Sequence, residues 1–206
     1  MELLIVIGAV VSAASALPYI KGVQNGTVRP KVVSWFTWCL LATLLTGAAL
    51  TTGQVMSAVM SGVTVLTTGT VFVLGLRKGN RALDKLDIAT LVGALAGMVV
   101  WLLLDNPTLA IFVALGVDII AFIPTLVHGW TNPEEESAVS YGVATAGAGL
   151  GLIAASGAGA TLAGVAYPVY AVVFNGAMAV LLTRSVWVSW LLLPIGQRSR
   201  GAESSY

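Results

Sequence analysis

Seven long apolar runs, separated by short polar breaks, dominate the sequence. Each run has roughly 17–25 residues, which is the length range of a helix that crosses the hydrocarbon core of a bilayer. Only 9% of the residues are charged, whereas a soluble domain has about 25% because water must cover its surface. The chain is therefore predicted to be an all-α integral membrane protein, and soluble enzymes, disordered chains and nucleic-acid binders are excluded. The predicted spans are residues 3–20, 33–50, 54–76, 87–104, 107–128, 138–156 and 166–190.

The basic residues predict how these spans are oriented. All 10 Lys and Arg residues fall on one side of the membrane if the spans alternate in direction. Cytoplasmic loops carry an excess of Lys and Arg. We therefore expect the N-terminus outside and the C-terminus in the cytoplasm, in the plasma membrane of a prokaryote. The residues are Lys21, Arg29, Lys31, Arg77, Lys78, Arg81, Lys85, Arg184, Arg198 and Arg200.

Two landmarks recur at the same offset and indicate an internal repeat. Pro18 and Pro124 lie near the ends of the first and fifth spans, and Val-Ser-aromatic triplets at 33–35 and 139–141 open the second and sixth. Both halves enter the membrane from the same side, so span 4 acts as an inverting linker. The alternative is two unrelated helix groups. The prediction is two parallel three-helix repeats, at residues 1–82 and 106–196, joined by a linker helix at 83–105 and followed by a polar cytoplasmic tail at 197–206.

This arrangement resembles the SWEET and PQ-loop superfamily of small-solute transporters, which also includes the PnuC vitamin transporters. Pro18 and Pro124 stand at the places of the PQ-loop prolines, but Tyr19 and Thr125 stand where glutamine would follow. The resemblance covers all seven spans. It implies a secondary transporter or facilitator of a sugar, a nucleoside-like vitamin or an amino acid, working by alternating access. Its partners would be the solute and the lipid bilayer, without a cofactor, and one chain would contain a complete pathway, which is also compatible with a homo-oligomer.

Asp118 is the residue most strongly marked for function. It lies near the middle of span 5, where a carboxylate costs about 2.5–3.5 kcal/mol on insertion scales and should therefore face a cavity or a partner. The functional interpretation is a group that contacts substrate and binds a proton or a cation, which would couple transport to protons. The alternative is a structural anchor that forms an ion pair with Arg184.

Polar and aromatic side chains at three further positions are candidates for contact with the solute. In SWEET-like proteins an asparagine on the third helix of a repeat contacts the solute; Asn175 stands there in the second half, and Ser61 in the first. Trp35 and Trp38 share one helix face because they are three residues apart. Trp38 is the pocket candidate and Trp35 the gate candidate. The alternatives are interhelical hydrogen bonds for the polar residues and an interfacial belt for the tryptophans.

The proposed gate lies at the cytoplasmic boundary. Pro18 and Pro124 each remove a helical hydrogen bond, which predicts hinges, although a proline kink without motion is common in membrane helices. His128 and Asp87 lie near the same boundary and are further gate candidates. The three acidic residues at 134–136 are interpreted as a solvated loop or as charges at a helix N-terminus.

Neither catalysis nor a metal site is expected. The chain has 1 histidine and 1 cysteine, so one chain cannot build a His/Cys metal cluster, and no nucleophile–base pair lies at membrane depth. The alternative function is a membrane receptor or scaffold that uses the same fold without moving solute. Such a protein would have a pocket open to one side only, with Asp118 neutralised by Arg184.

Overall fold

The computed structural model describes residues 2–51, 55–157 and 161–184, and this part of the chain is helical. Ser15 separates the first two helices, and a short 3-10 turn, Pro133–Glu135, precedes the seventh. Within these ranges there is no β-sheet, and one isolated bridge pairs Lys31 with Asn80. The helices are α1 (Glu2–Ala14), α2 (Ala16–Asn25), α3 (Val32–Thr51), α4 (Val55–Lys78), α5 (Lys85–Leu102), α6 (Pro107–Thr131), α7 (Ala138–Gly157) and α8 (Leu162–Leu182).

The helices are consistent with an integral membrane protein. Among the described residues, five stretches are long and apolar enough to cross a bilayer, and α3 adds a shorter apolar stretch, Val32–Ala48. The count of seven spans stays a prediction, and the predicted end of the last span at residue 190 lies outside the described residues. The five long stretches are Val6–Asn25, Lys85–Leu102, Thr108–Thr131, Ala138–Gly157 and Gly164–Leu182.

Local sequence explains several helix ends. Gly26 ends α2 in the left-handed conformation, with φ of 78°, which glycine adopts without a steric penalty. Asp84 and Asp87 form a reciprocal capping box at the start of α5, so each satisfies a backbone N–H that the helix leaves unpaired. Asn106 caps α6, and proline follows at the first helical position, where its missing N–H removes no helical bond.

The two matched prolines have different effects on their helices. The first predicted span is interrupted at Ser15, three residues before Pro18, because proline cannot donate to the carbonyl one turn earlier. Pro124 is fully buried inside the continuous helix α6. The two prolines are therefore not structurally equivalent, because the helix is broken in the first half and continuous in the second.

Helix packing follows a regular pattern. Helix α3 packs along α4, and α7 packs along α8. Helix α1 lies against α7, and α3 lies against α6. Helix α2 contacts α4, α6 contacts α8, and α5 packs on α6.

The described basic residues gather at one end of the bundle, which we call the basic end. The backbone N–H of Arg29 donates to the Glu135 carbonyl over 2.8 Å, and that of Asn80 donates to the Pro30 carbonyl over 2.9 Å. These bonds bring the three loops that follow α2, α4 and α6 together. The residues are Lys21, Arg29, Lys31, Arg77, Lys78, Arg81, Lys85 and Arg184.

Helices α1 and α7 approach each other so closely that only glycine fits at the crossing. A Cβ atom added to Gly147 would lie 2.8 Å from the Gly8 carbonyl oxygen and 2.5 Å from the Ser12 nitrogen. Both obstacles are backbone atoms, which a rotamer change cannot move. Small residues permit this approach of helix backbones in membranes.

Gly147→Ala is expected to lower the free energy of unfolding by about 1–3 kcal/mol, because the added methyl group overpacks the crossing. Gly149→Ala is the matched control on the same helix, since its Cβ would meet nothing within 4 Å. Reversible unfolding in mixed detergent micelles measures both variants. Equal stability of the two would contradict the close α1–α7 crossing.

Candidate functional site

Asp118 lies halfway along α6, between α3 and α8. The Trp38 indole of α3 and the Tyr170 hydroxyl of α8 are the hydrogen-bonding groups that face its carboxyl. No cationic side chain of the described ranges faces this carboxyl. Asp118 and Trp38 are partly exposed, whereas Tyr170 is buried. The structure thus brings together two of the residues singled out from the sequence, and adds Tyr170.

Aromatic rings fill the space next to Asp118 on the side of the basic end. Trp38 lies with its ring centroid 5.8 Å from that of Phe122, which is 5.6 Å from Phe174. Tyr170 stacks on Phe174 at 4.7 Å. Rings in such contact leave no room for a solute between them.

Trp35 continues this aromatic packing towards the basic end. Its ring centroid lies 5.2 Å from Trp38 and 4.7 Å from Tyr19. Tyr19 is 2% exposed, so Trp35 packs into the bundle and not against lipid headgroups. The gate interpretation of Trp35 and its alternative, an interfacial belt, both stay predictions.

The two predicted polar contacts on the third helices are engaged within the protein. The Asn175 amide donates to the Ala171 carbonyl of its own helix over 2.8 Å. The Thr46 hydroxyl donates to the Ser61 hydroxyl over 2.9 Å, which joins α3 to α4. Asn175 directly follows Phe174 of the aromatic cluster. Contact of Asn175 and Ser61 with a solute stays a prediction.

Arg184 does not form the ion pair with Asp118 that the alternative required. Its guanidinium donates to the carbonyls of Trp130 and Leu181, over 2.7 and 3.1 Å, and lies over the Trp130 ring. Trp130 is 12 residues beyond Asp118 on α6, which is about 18 Å along a helix. Arg184 therefore satisfies carbonyls at the end of α6, and Asp118 is left without this counter-charge.

An ion pair between loops closes the basic end. Arg29 Nη1 lies 2.9 Å from Glu135 Oε1, in addition to the backbone bond between the same residues. His128 is buried, with its Nε2 3.3 Å from Glu135 Oε2. His128 thus contacts the loop that follows α6, and its gate assignment stays a prediction.

Glu136 is the functional candidate that the sequence analysis missed. Its carboxylate Oε2 accepts hydrogen bonds from the Tyr19 hydroxyl of α2 and the Tyr141 hydroxyl of α7, over 2.9 and 3.3 Å. The residue is 7% exposed, so the interpretation of 134–136 as a solvated loop is wrong at this position and right at Glu134. Burial raises the pKa of Glu136 to about 8, against the opposing effect of the two hydroxyls. Three identical residues in a row contain no local signal that separates the buried one from its neighbours.

Asp87 is also buried at the basic end, where it pairs with Lys31. Asp87 Oδ2 lies 2.7 Å from Lys31 Nζ, and the two side chains are 0% and 8% exposed. The Lys31 ammonium also donates to the Ala82 carbonyl over 3.1 Å. This pair attaches the start of α3 to α5 and to the loop before it. A cavity of about 130 Å³ adjoins the pair and is lined by Lys31, Asn80, Asp84, Leu86, Asp87, Pro124, Val127, His128, Thr131 and Asn132.

Comparison with protein families, with curated proteins and with solved structures finds no match to this chain. Function must therefore be inferred from the arrangement of the described residues. Its parts are a carboxyl group at membrane depth without a counter-charge among the described residues, an aromatic cluster, and a basic end closed by polar contacts.

Proposed function

We propose that this protein is a secondary transporter or facilitator of a small polar solute. Its helices would form two parallel three-helix repeats with α5 as the linker, and the solute would bind between them near Asp118. The observation that carries the proposal is the position of this carboxyl group, halfway along α6 and facing Trp38 and Tyr170. A charged group at that depth is characteristic of a solute or ion pathway.

Helix packing supports the two repeats. Exchanging α1–α2, α3 and α4 for α6, α7 and α8 converts each contact among these helices into another observed contact, whereas the linker α5 packs, within the described ranges, on α3 and α6. The contact of α3 with α4 becomes that of α7 with α8, and the contact of α1 with α7 becomes that of α6 with α3. Such a relation is expected of parallel repeats around an axis along the membrane normal.

The ion pair at the basic end supports the same symmetry. Arg29 and Glu135 are separated by 106 positions, which is also the separation of Pro18 from Pro124. Residues at equivalent positions of two repeats meet each other only near the symmetry axis. The Arg29–Glu135 pair therefore suits a gate that lies between the repeats.

Alternating access would start from the conformation described above. The aromatic cluster and the loop contacts close the pathway at the basic end, which the positive-inside rule assigns to the cytoplasm. Asp118 and Trp38 are partly exposed, in contrast to the buried Tyr19 and Glu136. Solute would reach Asp118 from the opposite side, and a rocking motion of the repeats would then separate the loops of the basic end.

Counterflow into proteoliposomes tests this proposal. Vesicles loaded with a pooled mixture of sugars, nucleosides, vitamins and amino acids are expected to accumulate one labelled solute class, read by mass spectrometry. Trp38→Ala is expected to lose this enrichment, and Trp101→Ala on α5 is the matched control that retains it. Absence of enrichment for every class would contradict transport.

The second candidate is a receptor or scaffold with this fold, by analogy with sorting receptors of the superfamily. It would be favoured by ligand binding without counterflow. Its expected signature, Asp118 neutralised by Arg184, is not formed among the described residues, because Arg184 contacts the end of α6.

A further inference from the structure

Glu136 joins three segments at the basic end. It lies two residues before Ala138, the first residue of α7, and its carboxylate accepts the hydroxyls of Tyr19 from α2 and Tyr141 from α7. Tyr19 and Tyr141 belong to a buried hydrophobic cluster, together with Val23, Phe122 and Met178. The carboxyl group therefore lies where an apolar core meets the closed end of the bundle.

One carboxyl oxygen of Glu136 is left without a partner. Oε2 accepts both hydroxyls, but Oε1 is buried and has no hydrogen bond in the described part of the chain. In the ionised form, half of the negative charge would lie on this unpaired atom, which is costly in an apolar environment. A proton on Oε1 removes the charge and leaves Oε2 free to accept both hydroxyls.

The surroundings of Glu136 contain no compensating positive charge among the described residues. The titratable groups that face it are Tyr19 from α2, Tyr141 from α7, and Glu135 from its own turn. Glu135 is an acid and opposes ionisation, and the nearby Arg29 guanidinium is paired with Glu135. Geometry and charge thus favour the same form, the neutral acid.

We propose that Glu136 is a proton-binding residue whose protonation holds the basic end closed. The inference rests on the proposed function in one respect, since it assumes that this end opens. In the closed state the proton is bound to Oε1. When α2 and α7 separate, water reaches the carboxyl group, and the proton passes to solution at the basic end, leaving the carboxylate. Closure takes a proton from the same solution, so no other reactant is needed.

The pH dependence follows from the difference between the two states. Glu136 has a pKa of about 8 in the closed state, and an exposed glutamate has a pKa of about 4.3. Between these two pKa values only the closed state keeps the proton on Glu136. The proton therefore stabilises the closed state fully below the pKa of the exposed glutamate, and this stabilisation is lost as the pH rises to the pKa of the closed state. Between pH 6 and pH 8, the ratio of closed to open molecules is expected to fall by about fifty-fold, because the dependence is ten-fold per pH unit near pH 6 and weakens as the pH approaches the pKa of about 8.

Distance measurements between spin labels test the proposal without a substrate. Labels at Thr27→Cys and Val139→Cys, in a Cys39→Ser background, report the separation of the α2–α3 loop from α7. Both labelled positions are exposed. The protein is reconstituted in nanodiscs and examined from pH 6 to pH 8, where the separation is expected to increase. Glu136→Gln mimics the protonated acid and is expected to stay closed at every pH. Glu134→Gln, an exposed neighbour, is the matched control and should behave as the parent.

A second variant addresses the same site with a smaller perturbation. Tyr19→Phe removes a hydroxyl that stabilises the carboxylate more than the neutral acid, so the pH dependence of opening should extend to higher pH than in the parent, whatever the closed fraction at pH 6. If Glu136→Gln opens with pH like the parent, or if the pH dependence in Tyr19→Phe ends at a lower pH than in the parent, the proposal is wrong. Transport is a separate result. A pH-dependent opening without counterflow would contradict the proposed function and leave the role of Glu136 standing. Counterflow together with an unchanged pH response in Glu136→Gln would support the proposed function and contradict the role of Glu136.

Discussion

Asp87→Ala is expected to lower the free energy of unfolding by about 3 kcal/mol, because it removes the close counter-charge of the buried Lys31 ammonium and leaves it only Asp84 Oδ2, 3.8 Å away. Lys31 and Asp87 are 8% and 0% exposed, and their charged atoms are 2.7 Å apart. The substitution also removes half of the capping box, since Asp87 Oδ2 accepts the backbone N–H of Asp84. Reversible unfolding in mixed micelles at neutral pH measures the effect.

Two comparisons separate the ion pair from a general effect of substitution. Asp105→Ala changes an exposed acid before α6 and should alter stability by no more than about 0.5 kcal/mol. The double variant with Lys31→Met and Asp87→Leu removes both charges and should recover most of the loss, because well-packed apolar residues often replace a buried ion pair without penalty. A double variant that is less stable than Asp87→Ala would contradict this account.

Asp118→Asn is expected to reduce counterflow by at least about ten-fold, since a hydrogen bond to a charged group contributes about 1.5–3 kcal/mol. It should also abolish the dependence of transport on the pH of the compartment that faces the end opposite the basic end. The asparagine has nearly the same shape and still accepts from Tyr170 and Trp38, so the fold should be retained. Counterflow in oriented proteoliposomes, with the pH varied on one side at a time, measures both effects.

Varying the pH on one side at a time separates the effect of Asp118 on transport from that of Glu136. With the pH at the basic end held constant, the state of Glu136 does not change, and any remaining dependence on the opposite pH belongs to the central site. Asp105→Asn is the matched control for the loss of one acid. Full counterflow with the usual pH dependence in Asp118→Asn would falsify the assignment of the central site.

Much of the local structure could be predicted because it depends on neighbouring residues. Helix α7 was expected at 138–156 and is found at Ala138–Gly157, and α5 was expected at 87–104 and is found at Lys85–Leu102. Apolar length and the capping residues around each helix decide these boundaries. The break at Ser15 was not expected, although Pro18 was recognised, because a proline limits the position of a kink without deciding how the helix accommodates it.

The candidate site could be predicted only in part. The depth of Asp118 follows from its place in an apolar run, and Trp38 was selected because it shares a face with Trp35. Tyr170 was not selected, since no sequence pattern relates α3, α6 and α8. The alternative interpretation, an ion pair of Asp118 with Arg184, is not formed among the described residues, because helix packing decides whether two opposite charges can meet.

The sequence by itself determined the class of protein and its division into helices, and predicted a basic end, because hydrophobic length, capping and charge distribution act over one helix or one loop. Only the tertiary structure decided which acidic side chains are buried. Glu136 lies beside Tyr19, which is 117 positions away, while Glu134 next to it is exposed. Burial and hydrogen bonding of a side chain depend on which helices pack together, and that packing joins residues that have no relation along the chain.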